Sequence, residues 1–556
     1  MCKHRPFFVI VALILVWELL NSCTPQPASA PSTGQPSTPS DPLTQGTATP
    51  TPFSPAEPTA TPGDIYVWIS PAIPNGLSQQ VRDLEMVGGR SLQLVAEAED
   101  ADIRVESNPE TALTHWIYAV VAPFPTLADD ISMTEIREAA QGEPIDLGTF
   151  FLREEHAALI AEALGLGTDG VSILSGSEDL CTAVWDRKPA FSLLPFEELA
   201  PRWKVLAVDG LSPIQKAFDA ESYALRIAFG LSGDPEAKAL LAANLDWPAS
   251  NRDPEKLTVV AMTGVTALTR ATAWKMEQNG VLYPAEKIID WLQDADITHI
   301  SNEVSFYADC PAPNPVRQGL QFCSDPKYIE LFEAVGVDVI ELTGNHIKDY
   351  GQAPFDQTLE MYAERGWSVF AGGQDLEQAL QPLLVEHHGN KLAFLGCNQA
   401  GPPHVLAREG VAGGAPCQTD VLFAELARLR QEGYLTIFTY QWNEYPLAAP
   451  PTDQVLGFEA AAEAGATIVS GSQAHEPMGF EFLDESFIHY GVGNLFFDQM
   501  WFRNRRAFID QHVFYDGRHL STELLTIMLE DYAQPRPMTI EERDQLLEEM
   551  FAASRW

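Results

Sequence analysis

Short apolar runs alternate with longer amphipathic stretches in the first part of the chain. The runs IYVWIS, WIYAVVAPF and WKVLAV have the length and composition of strands, whereas REEHAALIAEALG has the spacing of a helix. Strands that alternate with helices are typical of an α/β layer fold. We therefore assign residues 64–250 to an N-terminal α/β domain.

The same alternation continues through residues 251–556, which we treat as a second α/β domain. LTVVAMTGVTALTRA predicts a strand and a loop, and AEKIIDWLQDADITHISNEVSF and YIELFEAVGVDVIELTGNHIKDYG each predict a helix, a strand and a loop. Later strands are predicted in KLAFLGCN, LTIFTYQWNEY and FIHYGVGNLFFDQ. Polar loops follow these strands, and ligands of open α/β sheets bind at the carboxyl ends of strands. These loops are therefore the candidate site.

The N-terminus has the pattern of an export signal. Lys3 and Arg5 precede an apolar run from Phe7 to Leu20, which is shorter than the ~20 residues that span a membrane. We predict that residues 1–22 are a signal peptide. The alternative is an anchor that is not cleaved.

The segment after the apolar run predicts a lipid anchor and a tether. LNSC is similar to a bacterial lipobox, so Cys23 is the expected lipidation site, with an ordinary signal peptide as the alternative. Residues 23–63 consist almost entirely of Pro, Thr, Ser, Ala and Gly, which predicts a disordered tether. We expect an exported lipoprotein on the outer face of the cell membrane.

Charge excludes one class of partner. The chain has 77 acidic and 34 basic side chains, a formal net charge of −43. This charge repels nucleic acid, so we expect no nucleic-acid partner. An anionic polymer would need a local basic group or a cation to bind tightly.

Four cysteines predict two disulfides. Cys310 and Cys323 bracket a Pro-rich loop, and Cys397 and Cys417 bracket a Gly-rich and Pro-rich loop. In an oxidising compartment two short disulfides are expected. The sequence contains no C-x-x-C pair, so a zinc or redox site is not expected. We expect Cys181 to be a buried thiol.

Part of the first domain resembles the two-lobed periplasmic substrate-binding proteins. WIYAVVAPFPTLADDISMTEIREAAQG (116–142) is similar to their crossing segment, and FSLLPFEELAPRWKVLAVDGLSP (191–213) fits their return strand. The resemblance implies a solute-binding module. The alternative is an α/β domain without that role.

The loops of the second domain resemble the CapA-type family of capsule and poly-γ-glutamate synthesis proteins. The matching motifs, in order, are ADIT…NE, LTGNHIKDYG with FAGGQDLEQA, AAEAGATIVSGSQAH and IHYGVGNLFFDQ, and the resemblance runs from about Lys256 to the C-terminus. It implies a fold like that of the calcineurin-type metallophosphoesterases, a four-layer αββα sandwich. It also implies a role in the synthesis, export or anchoring of capsule, poly-γ-glutamate or a related envelope polymer.

The resemblance also implies roles for individual residues. Related phosphoesterases hold two metal ions, which generate a hydroxide and clamp a phosphoryl oxygen. Asn345 falls at the amide ligand, His346 at the adjacent acid, Glu303 at the bridging carboxylate and His475 at the last histidine of the closing loop. Asn345, Glu303 and His475 are thus candidate metal ligands. His346, Glu303 and Asp349 are candidate catalytic residues, and Asp349 either caps the next helix or accepts a hydrogen bond from His346.

Three expected metal ligands are replaced. Val265 stands where the family has Asp, and Gln441 and Gln473 stand where it has His. Valine cannot bind a metal, and an amide is a poor substitute for imidazole on a transition metal. We expect either no cofactor or one weakly held Mn²⁺ or Mg²⁺ ion. With Asn345, Trp442, Glu444 and His475, these glutamines form a candidate pocket that binds a ligand by hydrogen bonds, for example a glycan.

Some alternatives stay open from the sequence alone. Gly344 and Asn345 could form a simple turn with positive φ angles. The arginines of WFRNRRAF could neutralise acidic side chains or meet an anionic ligand. The chain could be a polymer-handling protein of the envelope, a metal-dependent phosphoesterase, or a lipid-anchored protein that binds a solute or glycan.

Overall fold

The computed structural model describes residues 63–176, 179–316 and 319–556. The predicted signal peptide, Cys23 and nearly all of the predicted tether lie outside these residues. Residues 65–556 form one compact unit. Among the described helices, none combines the length and the apolar composition that a membrane span requires.

The first part of this unit is built on a mixed sheet of eleven strands. Its strands are β1 (Ile65–Ile69), β2 (Met86–Val87), β3 (Arg90–Leu94), β4 (Ile103–Ser107), β5 (Thr111–Pro123), β6 (Asp130–Ile131), β7 (Thr149–Arg153), β8 (Ser172–Leu174), β9 (Ala190–Pro195), β10 (Trp203–Val208) and β11 (Arg226–Gly233). Its helices are α1 (Asn75–Arg82), α2 (Met133–Ala140), α3 (Glu154–Leu164), α4 (Leu180–Asp186) and α5 (Pro235–Ala242). The predicted α/β class is confirmed for this part.

Strand β5 joins the two halves of that sheet. Its 13 residues pair with β11 at one end and with β9 and β10 at the other. Residues 116–122 of this strand are almost entirely buried. A continuous apolar run of this kind is typical of a strand that is covered on both faces.

The second part contains the remaining elements. Its strands are β12 (Leu257–Thr263), β13 (Val265–Thr266), β14 (Ile297–Asn302), β15 (Val339–Glu341), β16 (Ser368–Phe370), β17 (Gly372–Gly373), β18 (Leu383–His387), β19 (Asn390–Asn398), β20 (Gly413–Gly414), β21 (Leu435–Gln441), β22 (Ile468–Ser470), β23 (Phe480–Leu483), β24 (Ser486–His489), β25 (Asn494–Phe496), β26 (Arg506–Tyr515), β27 (Arg518–Glu530) and β28 (Gln534–Pro537). Its helices are α6 (Arg270–Asn279), α7 (Ile289–Gln293), α8 (Glu330–Ala334), α9 (Gln352–Glu364), α10 (Leu376–Leu380), α11 (Thr419–Gln431), α12 (Thr452–Ala464) and α13 (Ile540–Ala553). Short 3₁₀ helices lie at Ala98–Asp100, Phe196–Glu198, Pro254–Lys256 and Pro326–Ile329.

Two sheets of the second part form the predicted αββα sandwich. One has nine strands, in the order β16-β15-β14-β12-β26-β27-β28 with β13 and β25 beside β14, and the other has six, in the order β18-β19-β21-β22-β24-β23. The two sheets meet face to face, where His489 in β24 lies 2.6 Å from Asp510 in β26. Apolar residues of α6, α7, α8 and α9 pack against the nine-stranded sheet, whereas those of α11 and α12 pack against the other. The fold class that the sequence predicts is therefore confirmed.

The two parts of the unit share a hydrophobic cluster. The ring of Phe124, at the end of β5, contacts five aromatic rings at centroid distances of 5.2–6.2 Å. These rings belong to Phe480, Phe482, Phe487, Phe551 and Trp556. We call this set the Phe124 cluster. It joins the first sheet directly to the sandwich.

The disulfide prediction is confirmed. Cys310 is bonded to Cys323 and Cys397 to Cys417. Cys181 lies in α4, and its side chain is half-buried rather than buried as expected.

Candidate functional site

Polar loops from both sheets of the sandwich meet at one edge. Strands β13, β14 and β15 are parallel neighbours in one sheet, and β21 and β22 are parallel neighbours in the other. Gln473, in the loop after β22, donates a hydrogen bond of 2.7 Å to the Ser301 hydroxyl in β14. The structure therefore brings together loops that are far apart in the sequence, at the carboxyl ends of their strands.

Glu303 lies at the centre of this edge. It directly follows β14, and only 1% of its surface is exposed. Burial raises the pKa of Glu303, and this outweighs the opposing effect of the nearby His475 and His346 imidazoles. Its Oε2 atom has no hydrogen-bond partner among the described residues. Glu303 is thus a buried acid with one oxygen that no described residue pairs.

His475 lies between an amide and two carboxyl groups. Its Nδ1 atom lies 2.7 Å from the Asn494 amide oxygen, which can only accept, so Nδ1 carries a hydrogen. Its Nε2 atom faces the carboxyl groups, 3.9 Å from Glu303 Oε1 and 3.5 Å from Glu444 Oε1. The ring stacks on Phe497.

His346 and Asp349 form a second hydrogen-bonded pair. His346 Nδ1 lies 2.6 Å from Asp349 Oδ2, and the same oxygen accepts the backbone N–H of Phe322 at 2.8 Å. Burial acts to lower the pKa of His346, but the Asp349 hydrogen bond and the charges of Glu303 and Glu444 raise it above its usual value. Helix α9 begins at Gln352 without a side-chain cap. The suggestion that Asp349 caps this helix is therefore wrong, and the suggestion that it accepts from His346 is confirmed.

The amide side chains of the site leave oxygen atoms without partners. Asn345 Oδ1, Gln441 Oε1 and Gln473 Oε1 are buried, and no described residue donates a hydrogen bond to them. Buried polar atoms are almost always paired in folded proteins. Together with Glu303 Oε2, these three oxygens make four buried acceptors without a partner among the described residues. They lie at or after the ends of β14, β15, β21 and β22.

Gly344 is required for a different reason from the one suggested by the sequence. Neither Gly344 nor Asn345 has a positive φ angle, so that part of the turn alternative is wrong, although Asn345 does lie in a turn. Instead, a Cβ atom on Gly344 would lie 2.7 Å from Glu303 Cα. The absence of a side chain allows the loop after β15 to approach the loop after β14.

The loop after β21 contributes Glu444 rather than an open aromatic face. The Trp442 ring packs edge-on against Tyr440 and Phe458, with centroid distances of 5.2 and 5.9 Å. Its Nε1 atom lies 3.4 Å from Asp453. Trp442 therefore holds the loop in place, and Glu444 is the residue of this loop that reaches His475.

The sequence did not indicate the ion pair at the rim of the site. Arg270 bonds Asp498 through two nitrogens, and its guanidinium lies over the rings of Phe322 and Phe497 at 4.6 and 5.1 Å. Two of the residues involved do lie in a motif that the sequence showed. They are Asp498, in LFFDQ, and Asn494, which orients His475. Arg270 has no motif of its own in the sequence, and only the fold brings it to Asp498.

The three arginines of WFRNRRAF neutralise acids or bond the backbone. Arg503 pairs with Glu476 and Glu549, and Arg506 also pairs with Glu549. Arg505 donates to the Leu529 carbonyl. The structure therefore favours the first of the two alternatives for this segment.

The residues at this edge do not fit a two-metal centre. Val265 is fully buried in β13, where it pairs with Ser301 and Asn494 and offers no ligand atom. Within the described ranges, no group of three or more His, Cys, Asp or Glu side chains is arranged to hold a metal ion. Where the resemblance would place two imidazoles, this edge has the amides of Gln441 and Gln473, which transition metals disfavour as ligands.

Comparison with known proteins identifies relatives of the second part. Residues 259–499 match the family model "Bacterial capsule synthesis protein PGA_cap". The capsule biosynthesis protein CapA of Bacillus anthracis is 22% identical over 298 residues, which cover 52% of this chain and 72% of that protein. The PGA biosynthesis protein CapA of Bacillus subtilis (strain 168) is 22% identical over 185 residues, or 33% of this chain, and the match spans 49% of that relative's length.

Similarity to solved structures is weak. A 5'-nucleotidase precursor from Thermus thermophilus aligns with 53% of this chain and 57% of its own, with a TM-score of 0.30 and 11% identity. An ABC-type phosphate transport receptor from Vibrio cholerae aligns with 33% of this chain and 93% of its own, with a TM-score of 0.27 and 12% identity.

Proposed function

We propose that this chain, whose residues 259–499 match the family model "Bacterial capsule synthesis protein PGA_cap", takes part in the synthesis, export or anchoring of an envelope polymer. The polymer is capsule, poly-γ-glutamate or a related chain. We further propose that the protein works at the outer face of the cell membrane, tethered through lipidated Cys23. The sandwich would then handle the polymer as it leaves the cell.

The observation that supports a polymer-binding role is the set of four buried acceptors. Leaving a buried acceptor unpaired costs about 1–3 kcal/mol. A ligand that offers several N–H or O–H groups removes this cost at Glu303 Oε2, Asn345 Oδ1, Gln441 Oε1 and Gln473 Oε1 together. Backbone amides of poly-γ-glutamate and hydroxyls of a glycan both offer such groups.

The charge of the site favours contact with the neutral part of a polymer. The chain carries a net charge of −43, and the nearby Arg270 is already paired with Asp498. The side-chain carboxylates of poly-γ-glutamate would therefore be repelled unless they stay in solvent. We propose that the site holds the amide or hydroxyl groups of one repeating unit and leaves charged groups outside.

The two histidines of the site are each held in one orientation by a hydrogen bond. His346 is fixed by Asp349, and His475 is fixed by Asn494. The Nε2 atom of each ring can therefore bond a polar group of a ligand without first losing rotational freedom.

Calorimetric titration of the purified protein with γ-linked glutamate oligomers, and in parallel with a neutral oligosaccharide, tests the proposal. Binding of either ligand is expected. Gln473→Met, which keeps the side-chain length but removes the amide, should weaken binding by about tenfold or more. The control Gln534→Met changes a buried amide that bonds the Tyr283 carbonyl and Glu286, and it should leave binding unchanged.

Two results would overturn the proposal. One is the absence of binding to both kinds of ligand, and the other is equal binding by the Gln473→Met variant. Metal analysis after incubation with Mn²⁺ tests the phosphoesterase alternative. Stoichiometric Mn²⁺, with phosphodiester hydrolysis that His346→Ala abolishes, would establish that alternative.

A further inference from the structure

A cavity of about 390 Å³ lies between the first sheet and the sandwich. None of its lining residues belongs to the candidate site described above. Residues from both parts of the chain form its walls, among them Phe124, Lys204, Trp291, Glu523, Arg543 and Phe551. Its size is within the range of about 300–1,000 Å³ that small-molecule sites occupy, and such sites favour boundaries between structural units.

One side of the cavity is apolar and the other is acidic. Phe124, Leu547 and Phe551 line it from the shared core, and Trp291 lines it from α7. Asp129 and Asp130 also line it, and both are exposed to solvent. The cavity therefore opens at an acidic rim and ends at aromatic side chains.

Glu523 is the polar group that faces the cavity from β27. Its side chain is half-buried and lines the cavity. Burial raises the pKa of its carboxyl to about 7, with a smaller contribution from Asp129. No other described residue forms a hydrogen bond or an ion pair with its carboxyl group. A carboxyl group that is partly removed from water and has no protein partner is stabilised by a bound group that donates to it.

The nearby cationic side chains, Lys204 and Arg543, pair with groups other than Glu523. Lys204 Nζ donates to the carbonyls of Thr126 and Leu127 at 2.7 and 3.2 Å and pairs with Asp129 at 2.7 Å. These three contacts use all three hydrogens of the ammonium group. Arg543 pairs with Asp129 and with its neighbour Asp544. Neither cation forms an ion pair with Glu523, although the charge of Lys204 offsets part of the rise in its pKa.

We propose that this cavity binds a small organic amine, with the ammonium group donating to Glu523 and the apolar body packed on the aromatic wall. The acidic rim attracts a cation, the enclosed carboxyl accepts its hydrogen bonds, and the rings of Trp291 and Phe551 supply apolar surface. Lys204 and Arg543 also line the cavity, but both pair with Asp129, so an anion of the same size would face Glu523 and Asp130 and would be repelled. This site does not depend on the proposed polymer-binding function.

Calorimetry on the full chain with phenethylamine as the probe tests this site, at a pH above about 7 so that Glu523 is ionised. Phenethylamine should bind, and phenylacetate, which has a similar apolar body and the opposite charge, should bind at least about tenfold more weakly. Glu523→Gln should weaken phenethylamine binding by about tenfold or more. Glu541→Gln is the control, because it removes the same charge from an exposed position in α13 and should change nothing.

A second variant tests the location without removing a charge. Ala207 lines the cavity from β10, and Ala207→Leu should fill part of the volume and abolish binding while the protein stays folded. The proposal is overturned if phenethylamine does not bind, if phenylacetate binds equally well, or if Glu523→Gln or Ala207→Leu binds as tightly as the natural sequence.

Discussion

Substitution of Gly344 by alanine should destabilise the protein by pushing two loops of the site apart. The added Cβ atom would lie 2.7 Å from Glu303 Cα, 2.9 Å from its carbonyl oxygen and 3.1 Å from its carbonyl carbon. Carbon atoms in contact are normally separated by about 3.5–4.0 Å. All three contacts are to backbone, so no side chain can rotate away, and the loop after β15 must move by about 1 Å.

The magnitude follows from two opposing effects. Overpacking of a close-packed site costs about 1–3 kcal/mol. Replacing glycine by alanine where the backbone permits it stabilises a protein by about 0.4–1 kcal/mol, because the unfolded chain loses freedom. The expected net loss in the free energy of unfolding is therefore about 1–2 kcal/mol.

Equilibrium urea unfolding followed by circular dichroism measures this difference. Gly76→Ala is the matched control, since Gly76 lies in α1 with an ordinary φ angle and no heavy atom lies within 4 Å of an added Cβ. The same substitution should there increase stability by about 0.4–1 kcal/mol. If Gly344→Ala is as stable as the natural sequence, the close approach of the two loops is not a constraint and our explanation for this glycine is wrong.

Three further predictions concern an ion pair, a disulfide and a buried acid. Asp498→Ala should lower the free energy of unfolding by about 3 kcal/mol, because it leaves the Arg270 guanidinium without its partner. Asp498→Asn should lower it by less. Equal losses for the two variants in urea unfolding would contradict this prediction. Replacing Cys397 and Cys417 by serine opens a loop with a sequence separation of 20 and should lower the free energy of unfolding by about 3 kcal/mol. Thermal and urea unfolding measure this loss, and an unchanged unfolding midpoint would count against the prediction. Glu523 has a native pKa raised from 4.5 to about 7, so the native state binds the proton more tightly and stability falls as pH rises through this range. Relative to Glu523→Gln, the natural sequence should lose about 3 kcal/mol over that range, and parallel stability curves of the two proteins would refute this.

Periodicity alone predicted most of the elements of the sandwich. KLAFLGCN, LTIFTYQWNEY and FIHYGVGNLFFDQ each contain a strand, because a short apolar run that ends in polar residues has few other stable conformations in a layered fold. The disulfides could be predicted for a similar reason, since each pair closes a short loop. These features depend on residues that are close in the sequence.

The details of the site depend on distances that no local pattern contains. The sequence allows a turn with positive φ angles at Gly344 and Asn345, whereas the constraint on Gly344 in the structure is the backbone of Glu303. Arg270 could not be assigned, because its partner Asp498 lies far along the chain. Glu523 gave no signal either, because it becomes enclosed only when the first sheet packs on the sandwich.

The Phe124 cluster has an evolutionary consequence. Because the ring of Phe124 packs among aromatic side chains of the sandwich, neither part of the chain could be lost or exchanged without exposing an apolar face. Substitutions on one side of the cluster would be tolerated only with compensating changes on the other. A protein that has the sandwich alone must therefore cover or replace the aromatic residues that meet Phe124 here.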